Sequence, residues 1–125
     1  MSDFATRQKE FGLVSFAQTR AALQDPNTVV LDIRRPDEIA ADGTLPQSQN
    51  IVVSLTDASA LQAAAPTALP DKQAAVYIYC RSGRRAATAV QALQAMGYTH
   101  VMNGGGWSDV QAALAEEKAN QPVSQ

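Results

Sequence analysis

Short apolar runs alternate along the chain with stretches in which apolar residues recur every three or four positions. The clearest run, residues 75–79, is rich in β-forming residues and predicts a buried strand. Between residues 86 and 96 the spacing is helical, and Gly97 follows where a left-handed residue closes a helix. We expect strands at 13–14, 28–33, 50–53, 75–79 and 100–102. This alternation predicts an α/β domain with a parallel central sheet of about five strands and helices on both faces.

Local signals predict several helix and turn boundaries. Ser15 and Ser108 each precede a glutamine by three residues, which is the spacing of a capping box at a helix start. Pro66 should stop an alanine-rich helix that contains Leu61, because proline lacks the amide hydrogen that a helix interior needs. The glycine-rich run at 103–106 should turn the chain after the last strand.

The junction between the strand at 75–79 and the following helix carries the candidate chemistry. Cys80 is followed there by Arg81, Ser82, Gly83, Arg84 and Arg85. Gly83 lets the turn curl tightly, and the amides at a helix N-terminus face inward, so the turn can hold an anion. A helix N-terminus and nearby arginines favour the thiolate, so we expect Cys80 to be a nucleophile. The alternative, an inert buried cysteine, would not need three arginines within five residues.

Length, charge and cysteine content narrow the functional classes. The 125 residues indicate one domain, which we assign to 13–119, with an N-terminal extension at 1–12 and a polar tail at 120–125. The net charge is −2, yet three cations lie together in the Cys80 loop, which suits a small anion better than nucleic acid. No apolar run approaches the roughly 20 residues of a membrane span. We therefore expect no nucleic-acid or membrane partner and a cytoplasmic location, with export of a longer precursor left open.

The single cysteine restricts the redox and metal chemistry of the chain. One cysteine excludes an intrachain disulfide, a C-x-x-C redox pair and a multi-cysteine zinc site. We expect no metal and no other cofactor. Any sulfur chemistry must then be completed by a partner molecule.

Loops after neighbouring parallel strands should meet at one end of the sheet, where ligands of such folds bind. This rule brings the loop after Asp32, the Cys80 loop and the segment at 103–107 to one pocket. Asp32, Arg34 and Trp107 are therefore candidates for the rim or for its support. Each also has a structural alternative: Asp32 as the partner of a helix N-terminus or of an arginine, Arg34 as a surface cation and Trp107 as an anchor of a helix to the core.

Several motifs in this order resemble those of the single-domain rhodaneses, a family of sulfurtransferases. The matching pieces are Leu31-Asp32-Ile33-Arg34 with Pro36 and Glu38, the run from Tyr79 to Ala86, Gly97-Tyr98 and Gly105-Gly106-Trp107. The resemblance covers nearly the whole chain and implies a rhodanese-like fold. One stretch departs from it, because residues 43–48 read Gly-Thr-Leu-Pro-Gln-Ser where family members often have Gly-His-Ile-Pro-Gly-Ala.

The resemblance implies a double displacement at Cys80. The thiolate takes the outer sulfur of thiosulfate or a related small anionic donor, and the resulting persulfide delivers it to cyanide or a thiol, including a thiol on a protein. Loop amides would stabilise the anionic persulfide. Arg81, Arg84 and Arg85 would bind the donor, with Arg84 or Arg85 making forked hydrogen bonds to its oxygens. Ser82 and Gly83 complete the substrate-binding loop.

Two other functions fit parts of the sequence. One is a cysteine phosphatase or arsenate reductase, whose signature resembles Cys-x5-Arg. That signature would require arginine at position 86, where this chain has Ala86. A persulfide relay module that serves a protein partner would use the same residues as the enzyme, so the sequence leaves that alternative open.

Overall fold

The computed structural model describes residues 3–120, and side chains up to residue 116. The predicted tail at 120–125 lies almost entirely outside this range. Ten elements follow one another in chain order within it: α1 (Phe4–Phe11), α2 (Phe16–Gln24), β1 (Val29–Asp32), α3 (Pro36–Asp42), β2 (Ser48–Asn50), α4 (Ser59–Ala68), β3 (Val76–Cys80), α5 (Arg84–Ala95), β4 (Val101–Gly106) and α6 (Trp107–Asn120).

The strands form one parallel sheet in the order β2-β1-β3-β4, which confirms the predicted fold class. The sheet has four strands in the described residues, whereas the sequence predicted about five. The expected first strand is only an isolated parallel bridge between Leu13 and Asn103. Ser15 ends this pairing because its side chain caps α2: its hydroxyl oxygen accepts from the Gln18 amide at 3.1 Å, as predicted.

Helices cover both faces of the sheet, and β3 supplies side chains to both layers. Val76, Ile78 and Cys80 pack in the apolar cluster that includes α4 and α5. Tyr77 and Tyr79 point to the opposite cluster, which includes residues of α2 and α6. All five residues are fully buried. The strand's two-residue period therefore directs the cysteine to the α4–α5 side.

Two predicted boundaries near the sheet edge were wrong. Strand β2 is Ser48–Asn50 instead of 50–53, although the amides of Ile51 and Val53 still donate to the carbonyls of Asp32 and Ile33. Helix α4 continues past Pro66 to Ala68. Pro66 is exposed, and the last turn is still closed by a 2.7 Å hydrogen bond from the Leu69 amide to the Ala65 carbonyl.

The glycine run continues strand β4 to Gly106 and does not turn the chain. These glycines instead let the backbone of β4 lie close to its neighbours. A Cβ on Gly106 would lie 1.9 Å from the Arg81 carbonyl oxygen. Helix α6 then begins at Trp107, so Ser108 is not its cap. Asp109, in the first turn of α6, accepts at 2.7 Å from the amide of Gly106, the residue just before the helix.

A buried ion pair shapes the loop after β1. Arg34 donates from Nη2 to Asp32 at 2.7 Å and to the Gly43 carbonyl at 2.6 Å, and both charged side chains are at most 1% exposed. Burial raises the pKa of Asp32, but hydrogen bonds from Arg34 and Thr44 outweigh that effect and lower it. The aspartate therefore stays ionised and fixes the chain where β1 ends.

Adjacent arginines allow a matched test of this ion pair. Arg34→Met should lower the free energy of unfolding by about 3–5 kcal/mol, because it leaves Asp32 buried and unpaired. Arg35→Met should change it little, since the Arg35 side chain is 57% exposed in its pair with Asp37. Urea unfolding of both variants measures the difference, and equal effects would contradict the structural role assigned to Arg34.

Candidate active site

The candidate active site lies where β3 ends at Cys80 and α5 begins at Arg84. Gly83 precedes the helix with φ 95°, a left-handed conformation that glycine adopts without steric cost. A Cβ there would also lie 2.6 Å from the Leu13 side chain and 3.1 Å from the Gly105 Cα. Position 83 therefore requires glycine on two grounds, conformation and space.

The Cys80 sulfur is fully buried, and the amide of its own loop faces it. Gly83 N–H donates to Sγ over 3.1 Å. The sulfur also lies beside the N-terminus of α5, a 12-residue helix whose dipole favours negative charge there. Although Cys80 belongs to the apolar cluster on that face, its sulfur thus has a polar partner suited to a thiolate.

A cavity of about 1010 Å³ lies over this loop. It is lined by Arg81, Ser82, Arg84 and Arg85 of the Cys80 loop, by Arg35 and Glu38 after β1, by residues 52–56 after β2, and by Arg7 and Ser108. Four of the five expected loop residues therefore line it, whereas Gly83 and Cys80 are buried and are not among the lining residues. The ends of β1, β2 and β3 meet here, as expected for a parallel sheet.

The arginines of the loop fall into two groups. Arg85 donates from both terminal nitrogens to the Glu38 carboxylate, at 2.7 and 2.8 Å. Arg81 and Arg84 are exposed, and neither side chain has an ion pair or hydrogen bond with the part of the chain that the structure describes. The positive charge available to a ligand therefore comes chiefly from Arg81 and Arg84, whereas the charge of Arg85 is neutralised by Glu38.

Glu38 is the acidic residue of the cavity lining. Its forked hydrogen bonds from Arg85 lower its pKa to about 2, and the Arg35 amide, which donates to Oε1 at 3.0 Å, adds to this effect. Burial opposes the shift without reversing it. The carboxylate therefore remains charged at neutral pH and links α3 to the start of α5.

The three residues predicted for the rim or its support lie behind the cavity. Asp32, Arg34 and Trp107 are not among its lining residues. The Arg34 guanidinium carbon lies 4.9 Å from the Trp107 ring centroid and 5.7 Å from that of Tyr79. Trp107 and Tyr79 belong to the cluster on the face opposite Cys80, so this group supports the sheet from the other side.

Sequence reasoning missed several lining residues. The segment 52–56 follows β2, and the rule that ligands bind at the carboxyl ends of parallel strands would have found it. Its Leu55 carbonyl accepts from the Thr88 hydroxyl of α5 at 3.1 Å. No comparable sequence pattern predicts Arg7 of α1 as a lining residue, because its contacts are with residues 75 and 102 positions away.

The described part of the chain contains neither a metal-binding cluster nor a membrane-spanning helix. Among the side chains that the structure describes, residues 3–116, no group of three or more His, Cys, Asp or Glu is arranged to hold a metal ion. No helix within residues 3–120 combines the length and apolar character needed to cross a membrane.

Comparison with known proteins assigns the fold and the loop to a family. The model of the rhodanese-like domain matches residues 15–113. The chain belongs to the rhodanese-like family. Two solved structures agree: a rhodanese with anions from E. coli has 34% sequence identity over 66% of this chain and 89% of its own, with a TM-score of 0.56. The human single-domain sulfurtransferase TSTD1 has 28% identity over 80% and 95%, with a TM-score of 0.59.

A curated relative of this rhodanese-like chain is the thiosulfate sulfurtransferase PspE of Escherichia coli K12. The two are 50% identical over 44 residues, which is 35% of this chain and 42% of the relative. The match therefore spans about two fifths of that protein's length. Family membership follows from these likenesses together, while the activity, donor and acceptor of this chain require separate argument.

The Glu38–Arg85 pair predicts a specific dependence of stability on acid. Since the pKa of Glu38 falls from 4.5 to about 2 on folding, its stabilisation is complete above pH 4.5 and is lost as the pH falls through 2. Glu38→Gln should reduce the free energy of unfolding at pH 7 by about 1–3 kcal/mol. The difference from the wild type should shrink between pH 4.5 and 2, as measured by urea unfolding. Asp37→Asn, which removes a neighbouring exposed carboxylate, is the control; a difference that is constant across this range would contradict the assignment.

Proposed function

We propose that this protein moves sulfane sulfur from thiosulfate or a related small anionic donor, through a persulfide on Cys80, to cyanide or a thiol. The observation that carries the proposal is the 3.1 Å hydrogen bond from Gly83 N–H to the Cys80 sulfur, at the start of α5. Arg81 and Arg84 of the same loop line the cavity and have no ion pair among the described residues. Membership of the rhodanese-like family supports the same reaction class.

In the first step the Cys80 thiolate attacks the outer sulfur of thiosulfate. A bond forms between Sγ and that sulfur, the sulfur–sulfur bond of the donor breaks, and sulfite leaves with the electron pair. Arg81 and Arg84 are the residues we assign to the donor oxygens, because the terminal nitrogens of Arg85 already bind Glu38. Ser82 lines the cavity between them.

In the second step the acceptor attacks the terminal sulfur of the persulfide. Cyanide leaves as thiocyanate, or a thiolate leaves as a persulfide, and the electron pair of the broken bond returns to the Cys80 sulfur. The Gly83 amide and the N-terminus of α5 stabilise the negative charge in both resting and loaded forms. No electrons are gained or lost overall, so neither step needs a metal or redox cofactor.

The geometry disfavours the phosphatase and arsenate reductase alternatives. The signature of those enzymes resembles Cys-x5-Arg, which would place an arginine at position 86. In this chain that position is the fully buried Ala86. Arg85, one position earlier, is engaged by Glu38 on the wall of the cavity. The loop therefore lacks the arginine that would clamp a tetrahedral oxyanion opposite the cysteine.

The cavity favours a persulfide relay to a bulky acceptor as a second candidate function. Ligand sites of about 300–1,000 Å³ suit drug-sized molecules, and this cavity of about 1010 Å³ far exceeds the needs of cyanide. Its wall presents Val52 and Leu55, which are 40% and 44% exposed. An organic or protein-borne thiol would cover these side chains.

We assign this function to the domain at residues 13–119. We propose the cytoplasm as its location, because thiols stay reduced there.

Intact mass spectrometry after thiosulfate treatment tests the proposed function. The wild type should gain one sulfur atom, and cyanide should remove it, because the persulfide forms on the single cysteine. Cys80→Ser should gain none. Wild-type protein that stays unmodified in thiosulfate would refute thiosulfate as the donor, and sulfur loading without turnover to cyanide would favour the relay function.

Substitution of the unpaired arginines tests donor binding. Arg81→Met and Arg84→Met should each raise the KM for thiosulfate about tenfold, since a hydrogen bond to a charged group contributes about 1.5–3 kcal/mol. The kcat should change by less than about threefold if these side chains bind the donor equally in the ground state and in the transition state. Lys9→Met, which removes an exposed cation outside the cavity, is the control for net charge. An unchanged KM in both arginine variants would contradict this assignment.

A further inference from the structure

Helix α1 lies outside the segment that matches the family model and contacts the Cys80 loop through Arg7, which also lines the cavity. Arg7 Nη1 donates to the Ser82 carbonyl oxygen at 2.9 Å. The same guanidinium makes two hydrogen bonds of 2.7 Å to the Asp109 carboxylate in the first turn of α6. The side chain is only 13% exposed, so this residue from before the matched domain forms part of the interior of the site.

Arg7 and Cys80 hold opposite ends of the same peptide unit. The Ser82 carbonyl and the Gly83 N–H belong to one trans peptide plane, so they point in opposite directions. Arg7 binds the carbonyl oxygen, and the N–H on the other side donates to the Cys80 sulfur at 3.1 Å. A rotation of this plane would break both hydrogen bonds at once.

The charge on Arg7 also acts on this N–H. A cation bound to a carbonyl oxygen polarises the amide and strengthens its N–H as a donor. The pKa of Arg7 is raised, first by its hydrogen bond to Asp109, while burial opposes the rise and the negative charge of Cys80 adds to it. The guanidinium therefore stays protonated beside the loop.

Neighbouring contacts hold the rest of the loop in the same orientation. Asn103 Nδ2 donates to the Gly83 carbonyl at 2.8 Å and to the Phe11 carbonyl, at the end of α1, at 3.2 Å. Asp109, besides binding Arg7, accepts from the amide of Gly106, which pairs with Cys80 in the sheet. Arg7 is thus the one charged donor of this network that bonds a carbonyl of the loop directly.

We propose that Arg7 is a positioning residue for sulfur transfer: it holds the Ser82–Gly83 peptide so that the Gly83 N–H faces the Cys80 sulfur in both its thiolate and persulfide forms. The catalytic consequence rests on the proposed function, whereas the orientation itself does not. Arg7 acts through the peptide, and the donor need not touch it.

Hydrogen exchange of the Gly83 amide, followed by NMR, tests the orientation without any sulfur donor. In Arg7→Met this amide should exchange about tenfold faster or more, while the amide of Ile78 in β3 keeps its protection. The control is Arg20→Met, because Arg20 also joins a helix to α6, through the Ala113 carbonyl and Glu116, without contacting the loop. Arg7→Lys keeps one cationic donor and should show an intermediate rate.

Single-turnover persulfide formation at saturating thiosulfate tests the catalytic consequence. Arg7→Met should slow this step about 10- to 100-fold, which is less than the roughly 100- to 1,000-fold cost of removing an anion-stabilising donor, because the Gly83 amide is misoriented but still present. The KM for thiosulfate should stay within about threefold of the wild type, and Arg7→Lys should recover part of the rate. Arg20→Met should remain within about twofold.

Each outcome distinguishes this proposal from its alternatives. Unchanged Gly83 exchange in Arg7→Met, or a lower melting temperature with wild-type rates, would overturn the positioning role. A higher KM alone would replace it with direct donor binding. If wild-type protein forms no persulfide while Gly83 exchange still responds to Arg7→Met, the proposed function fails and the assigned orientation stands.

Discussion

The hydrogen bond between the Gly83 amide and the Cys80 sulfur is the interaction on which the other features of the site depend. It exists only because residue 83 takes a left-handed conformation between β3 and α5, which requires glycine. Glycine is also required at position 106, where β4 passes directly against the Arg81 backbone. The tight packing of β4 against the Cys80 loop and the shape of that loop therefore depend on each other.

Charge around the loop is divided between structure and ligand binding. Arg34 and Arg85 are each neutralised by a carboxylate, Asp32 and Glu38 respectively, and each joins two parts of the fold. Arg81 and Arg84 face the cavity without such partners among the described residues. Because a paired arginine contributes little net field, the cavity's attraction for anions depends on the second group.

Local sequence signals predicted the elements closest to the site. The strand at 76–80, the helix after it and the Ser15 capping box follow from residue periodicity and side-chain chemistry within a few positions. Together they were enough to place the cysteine at a strand-to-helix junction and to predict an anion-binding loop. The family resemblance followed from several short motifs whose order and spacing extend over most of the chain.

Predictions failed where distant contacts override local preference. The glycines of β4 were expected to turn the chain, but Tyr77 and the Arg81 backbone pack too closely for any Cβ at 104 or 106, so the same residues serve an extended strand. Pro66 remains within α4 because its missing donor falls on the exposed face. The contact of Arg7 with Ser82 depends on how α1 docks, which no local pattern specifies.

The complete burial of the Cys80 sulfur has a chemical consequence of its own. Oxidation of a thiolate to sulfenic and higher acids depends on its accessibility as well as its charge. A sulfur with 0% exposed area does not meet bulk solvent, so its reaction with any small molecule, the sulfur donor included, requires the loop to open around it. Because the sequence holds no second thiol to reverse such oxidation, the burial of Cys80 limits a loss that the chain cannot itself repair.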